Sequence, residues 1–235
     1  MANATAGEAC AARPETMAPP NVLKYVDGLY EEYPGEVLRA ACREEIEAQD
    51  QIGSLVYGEV GFMALVWILK AAKSHCTRRG DVAFYDLGSG SGRMVHYTAL
   101  LHPSLRRCVG IEIIGALHDV AISVAAKHLQ MLEILPRPHS EQSIEFIHGD
   151  ILEVDWSDAG IVLVNSTCFT PELMAALEAR AANILQNGSV IVTFTSPFQG
   201  DCWELVSKSR RQMSWGPADI YIHQRTAQPA PGQQG

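Results

Sequence analysis

Residues 83–92 read Ala83-Phe84-Tyr85-Asp86-Leu87-Gly88-Ser89-Gly90-Ser91-Gly92, a short apolar run that ends in an acid and then three glycines at alternate positions. Glu112 follows Gly92 by twenty residues. Glycine lacks a Cβ, so such a loop can turn sharply off a strand and carry its backbone close to a ligand. An acid ending the next strand can accept both hydroxyls of a ribose. The spacing is G-x-G-x-G rather than the dinucleotide G-x-G-x-x-G, and the upstream Asp86 repels a pyrophosphate but suits an ammonium. S-adenosylmethionine carries that ammonium, so the loop reads as a methyl-donor site. A dinucleotide fold and a glycine-rich turn that binds nothing are the alternatives.

Working outward, apolar periodicity predicts strands at 82–86, 108–112, 144–147, 161–165 and 189–195, and a final pair around 201–214 and 218–224. Helices are expected between them at 92–101, 115–132 and 171–186. This alternation defines an α/β fold with a doubly wound, mostly parallel, seven-stranded sheet, the class I arrangement of S-adenosylmethionine-dependent methyltransferases. Ligands bind such sheets at the carboxyl ends of the strands, where Asp86, Glu112, Asp150 and Asn165 all fall. Asp150 closes the segment Ile144-Glu145-Phe146-Ile147-His148-Gly149-Asp150. A carboxylate there can accept from an adenine amino group while Ile151 packs on the ring. Asp86 is expected near the cofactor ammonium or as an orienter of the loop, Glu112 on the ribose and Asp150 on the base. Asn165, an amide ending an apolar strand, has several hydrogen bonds to satisfy and reads as a ligand group.

Upstream, 21–53 should be helical with a break at Pro34-Gly35, forming a small cap. A helix from Gly61 to His75, apolar until Lys70, should be buried between that cap and the sheet. The expected organisation is a flexible tail at 1–20, a helical cap at 21–80, a methyltransferase core at 81–225 and a second tail at 226–235.

Composition narrows the function. With 235 residues, 47% hydrophobic and 19% charged, there is enough apolar material for one α/β domain and a small appendage. The first segment lacks the basic start and apolar stretch of a secretory signal. The best apolar run, Gly61 to Leu69, falls short of the ~20 residues a membrane helix needs, so no membrane partner is expected. Six cysteines are scattered without a C-x-x-C pair, which suggests a reducing compartment, and eight histidines are dispersed, so no metal is expected. A net charge of −9 argues against a chain that holds nucleic acid through its overall field. Arg78-Arg79, Arg106-Arg107 and the group Lys208, Arg210, Arg211 read as solvated surface, or else as contacts for an acidic partner.

Several segments together resemble one family, the non-SET histone lysine methyltransferases of the disruptor-of-telomeric-silencing type. Tyr57-Gly58-Glu59-Val60 is similar to that family's Tyr-Gly-Glu-Thr loop, and Phe84 to Arg93 to its Phe-Val-Asp-Leu-Gly-Ser-Gly-x-Gly-Gln. Gly110-Ile111-Glu112 and Gly149-Asp150 resemble its ribose and adenine segments. Val164-Asn165, Phe169, Pro171-Glu172, Ala182-Asn183 and Gly188 resemble a strand, loop and helix of the family, and Ser196-Pro197-Phe198 its Lys-Pro-Phe. Ser214-Trp215, Gly216, Pro217 and Tyr221-Ile222-His223 resemble its closing motifs.

The resemblance covers about residues 50–225. It implies transfer of methyl from S-adenosylmethionine, leaving S-adenosylhomocysteine, to a lysine of the folded core of histone 3 in nuclear chromatin. Tyr57, Gly58, Glu59 and Val60 would close over the methionine end of the cofactor. Phe84, Gly88, Ser89, Gly90, Gly92 and Arg93 would form its loop. Asn165 would sit where the methyl faces the substrate, with Phe169, Trp215 and Tyr221 lining a lysine channel. A dry aromatic passage lowers an amine's pKa and orients it for in-line attack. Ile220 stands where the family usually carries a second tyrosine. This sequence shows none of the lysine-rich extensions of nucleosome-acting members, so the expectation is either an auxiliary DNA-binding subunit or a substrate other than the nucleosome. The competing readings are a methyltransferase acting on another protein lysine or a small amine, and a non-catalytic interaction module.

Overall fold

The computed structural model describes residues 17–48, 60–134, 142–213 and 215–227. The Tyr57, Gly58 and Glu59 of the proposed closing loop, and Ser214, lie outside those residues. The elements follow the expected alternation, with helices α1 (Pro19–Leu29), α2 (Gly35–Ala48) and α3 (Phe62–His75) first. Strands β1 (Ala83–Leu87), β2 (Arg107–Glu112), β3 (Ser143–His148), β4 (Ala159–Val164) and β5 (Val190–Phe194) are joined by α4 (Arg93–Leu101), α5 (Gly115–Ile134) and α6 (Pro171–Ile184). Strands β6 (Trp203–Met213) and β7 (Gly216–Arg225) close the chain. The order across the sheet is β3-β2-β1-β4-β5-β7-β6, with β7 antiparallel to both neighbours and the other pairs parallel.

Both faces of the central strands are covered, which is why β1, β4 and β5 are apolar almost throughout. The pleat still sorts their side chains. Phe84, Ile161, Leu163, Val192 and Phe194 pack under α3, α4 and α5, whereas Tyr85, Val109, Val162 and Ile191 face Trp156 and α6. The fold differs from expectation at α3. This helix packs on β5, β6, β7 and α4, while α1 rests on α4 and α5. It lies beside α4 on the sheet rather than between the cap and the sheet, because the long β6–β7 pair offers an apolar face (Met213, Ala218, Ile220, Ile222) that needs a cover. Among the described residues no helix is long and apolar enough to cross a membrane.

The third glycine of the loop is a packing residue. Gly92 caps α4 with φ +83°, and a Cβ there would lie 2.4 Å from Cε1 of Phe146 on β3. Gly92→Ala combines a left-handed backbone cost with a steric clash, so we expect it to lower stability by about 3 kcal/mol. Urea unfolding measures this, and a loss below about 1 kcal/mol would show that β3 yields freely.

His96 of α4 is fully buried between Tyr30, His128 and Phe146, and neither ring nitrogen has a hydrogen-bond partner among the described residues. Burial, then the nearby His128 and Arg93, push its pKa down to about 3. The unfolded chain protonates this ring near 6.5, so the stability that neutral His96 contributes is lost as pH falls from about 6.5 toward 3. His102 and His223, each held down to about 4 chiefly by burial, act in the same direction. Asp86 and Glu112, held above the usual carboxylate range, act oppositely. Between pH 7 and 5 the wild type should therefore lose about 2 kcal/mol more than His96→Gln in denaturant titrations. Parallel losses in the two proteins would contradict this account.

Candidate active site

At the carboxyl ends of β1, β2 and β4 a cavity of about 520 Å³ opens. It is lined by Val60, Asp86, Gly88, Ser89, Gly90, Arg93, Glu112, Asp150, Ile151, Asn165, Phe169 and Trp215 of the expected site. The switch in strand order lies between β1 and β4, both of which leave the sheet centre here.

The glycine loop is held from two sides. Gly88 and Ser89 donate to the Ile111 carbonyl at 2.8 and 3.0 Å. Gly90 N–H donates to Oε2 of Glu112 at 2.7 Å, and Oε1 of the same carboxylate accepts from Ile114 N–H at 2.9 Å. Glu112 thus latches the loop to the exit of β2, and each of its oxygens keeps a second lone pair for a hydroxyl donor. Gly88 has φ +80° and open space where a Cβ would be, which leaves its backbone approachable. Asp150 accepts from Leu152 N–H at 2.8 Å through Oδ1, and Ile151 is fixed by its carbonyl, which accepts from the Trp156 indole at 2.9 Å.

S-adenosylmethionine fits this lining. Burial, reinforced by the charge of Glu112, holds Asp86 well above the usual carboxylate range. A cationic ligand relieves that cost. The Ser89 hydroxyl is buried without a hydrogen-bond partner among the described residues, and Gly110 makes room for it, since a Cβ there would sit 2.6 Å from Ser89 Oγ. Burial also raises Glu112 despite its backbone partners.

The far end of the cavity is aromatic and polar. Asn165 leaves β4 with φ −76° and ψ 76°, and its Oδ1 accepts from the Thr167 hydroxyl at 2.9 Å. The adjacent Ser166 is buried and ties β4 to β5. Its Oγ donates to the Phe194 carbonyl at 2.7 Å and accepts from Phe194 N–H at 2.9 Å. Thr167, Cys168, Phe169 and Leu173 also line the cavity, as does Trp215 of the β6–β7 turn, 36% exposed.

Among the described residues, three expected site residues lie outside the cavity lining. Phe84 is fully buried beneath the loop, and Gly92 faces Phe146. Tyr221 pairs with Thr193 on the sheet face that carries Lys208, whose Nζ sits 5.1 Å from the ring centroid. Its neighbours Ile220 and Ile222 turn the other way into the core under α3. Tyr221 thus stacks on His223, on the side of the sheet against which Phe169 also packs, and is not among the residues that line the cavity. Sequence reading also missed the wall formed by Cys42, Ile114 and Leu117, where α2 meets α5. Only the apolar spacing of α2 hinted at it. Burial, then Glu112 and Glu45, push the Cys42 thiol up to about 11, so it stays neutral. Glu45 itself caps α5, accepting from Gly115 and Ala116 N–H at 2.8 Å each.

Solved structures share this architecture. The rRNA methyltransferase aviRa from Streptomyces viridochromogenes is 14% identical, with a TM-score of 0.53 over 72% of this chain and 86% of that one. A putative class I S-adenosylmethionine-dependent methyltransferase from Listeria monocytogenes is 11% identical, with a TM-score of 0.56 over 87% of this chain and 72% of that one. A putative RNA methyltransferase from Pyrococcus horikoshii is 14% identical, with a TM-score of 0.52 over 80% and 98%. At such identities the likeness carries the fold alone.

Strand order, glycine loop and three acids at successive strand ends define a class I S-adenosylmethionine-dependent methyltransferase. Within that class the chain belongs to the family described as histone methylation protein DOT1, whose family model matches residues 42–210.

Proposed function

We propose that this protein is a histone lysine N-methyltransferase of nuclear chromatin, acting on a lysine in the folded core of histone 3. The observation that carries the reading is that Asn165, Phe169 and Trp215 line one cavity with the cofactor loop, in a chain of the histone methylation family. S-adenosylmethionine supplies an electrophilic methyl on its sulfonium. Phe169 and Trp215 exclude water from the approaching amine, which favours its neutral, nucleophilic form, and the Asn165 amide orients it. Aromatic faces also attract a partly methylated ammonium, which would permit repeated transfer.

The basic groups support an auxiliary subunit as the source of DNA affinity. Arg107 is engaged with Glu145 at 2.7 Å and Asp158 at 3.0 Å, and Arg106 with Asp81 at 2.9 Å. Arg210 sits 3.7 Å from Asp219, while Arg211 turns to the opposite face and stacks over Trp67 at 4.3 Å. Phosphate binding needs several cations on one surface, and these are spread and partly neutralised.

The test offers radiolabelled S-adenosylmethionine with reconstituted nucleosomes, free core histones and a lysate, using Asn165→Ala as control. We expect label on histone 3 in nucleosomes only. Label on a lysate protein with histones untouched would move the substrate elsewhere.

A further inference from the structure

The chain passes from β4 to α6 through Asn165-Ser166-Thr167-Cys168-Phe169-Thr170, and three of these residues carry hydroxyls. Two of the hydroxyls hold the connection itself. Ser166 ties it to β5 through the carbonyl and the N–H of Phe194, at 2.7 and 2.9 Å. Thr170 caps α6, its hydroxyl accepting from Leu173 N–H at 3.2 Å. Between these anchors Ser166–Cys168 form one short 3₁₀ turn, closed by Phe169 N–H donating to the Ser166 carbonyl at 3.1 Å. Thr167 sits in the middle of that turn, half-buried, and its hydroxyl does neither job. It turns back and donates to Oδ1 of Asn165 at 2.9 Å. Both Thr167 and Asn165 line the cavity.

The torsion that orients an asparagine amide is broad and roughly two-fold, so an unrestrained amide samples many planes and exchanges its oxygen and nitrogen ends. A hydroxyl on a fixed turn removes that freedom, because it holds the oxygen end in one place. We infer that Thr167 is a positioning residue for methyl transfer, whose hydroxyl fixes the plane of the Asn165 amide that receives the incoming amine. The inference rests on the proposed reading of Asn165 as the group that orients this amine. Transfer needs the nitrogen lone pair in line with the bond from sulfur to the methyl, and an error of about 1 Å in a reacting group can cost on the order of a hundredfold. The glycine loop has separate supports in Ile111 and Glu112, so a change at Thr167 reaches the transfer step and spares the cofactor.

A double-mutant cycle tests this on whichever acceptor takes label in the nucleosome, histone and lysate trial, read by single-turnover transfer and by calorimetric cofactor affinity. Thr167→Val keeps the branched shape and removes the hydroxyl. It should slow transfer about tenfold and leave cofactor affinity within about twofold. Thr167→Ser keeps the hydroxyl and should recover most of that loss. In an Asn165→Ala background, itself slowed about a hundredfold, Thr167→Val should cost less than about twofold more, since the group it positions is gone. Transfer by Thr167→Val at the wild-type rate would overturn the inference. A tenfold loss in both backgrounds, a serine that recovers nothing, or equal losses in transfer and affinity would make Thr167 a structural residue only, and would overturn it as well. Asn165→Ala at the wild-type rate would instead sink the reading of Asn165, and a wild type that labels no acceptor would sink the proposed lysine transfer on which both rest.

Discussion

Glu112→Gln is expected to weaken S-adenosylmethionine binding by about a hundredfold, about 3 kcal/mol, although it changes one oxygen to an amide nitrogen. In the native site both carboxylate oxygens accept backbone N–H groups, Gly90 at 2.7 Å and Ile114 at 2.9 Å. A glutamine can present only one acceptor, so its NH₂ must face one of those amides, donor to donor, and either the loop or the start of α5 loses its latch. The ribose hydroxyls lose an ionic acceptor at the same time. Because Glu112 is 6% exposed, water cannot fully compensate. Calorimetry reports the affinity and thermal unfolding the intrinsic stability, which should fall by about 1–3 kcal/mol. Affinity within threefold of wild type would remove Glu112 from the cofactor site.

Asn165→Ala should show the complementary pattern, with methyl transfer falling by about a hundredfold or more while cofactor affinity changes less than threefold. The latch and the three acids stand on β1, β2 and the turn after β3. Asn165 stands at the exit of β4, held by Thr167 and followed by the Ser166 tie to Phe194. Truncation there leaves the loop's partners in place and removes a polar group from the cavity lining that Asn165 shares with Phe169 and Trp215. Single-turnover kinetics separate transfer from binding. Equal losses in transfer and affinity would place Asn165 on the cofactor rather than on the incoming amine.

The parts of this molecule that were legible in the chain are those with local causes. Short continuous apolar runs marked the central strands to within a few residues, because strands covered on both faces bury nearly every side chain. Gly88, Gly90 and Gly92 could be read together as a loop because only glycine takes φ of +80°, +56° and +83° without penalty. The acids Asp86, Glu112 and Asp150 were readable as a set because each ends an apolar run, and parallel strands bring their ends to one edge.

What the tertiary structure alone decided depends on which distant elements become neighbours. Nothing local told Gly92 from Gly88, yet Phe146 of β3 makes one a packing contact and leaves the other open to the cavity. Tyr221 carries a motif, but the antiparallel register with β5 sets the side it faces, where it stacks on His223 and lies outside the cavity's lining. Asp27 and Glu45 lie on helices of the expected cap, and the docking of α1 and α2 brings one to Arg93 and the other to the start of α5. The amino-acid sequence by itself determined the sheet, the glycine loop and the order of its acids, because those follow from backbone freedom and side-chain period. The cavity's walls were decided by packing between segments tens of residues apart, which no local period encodes.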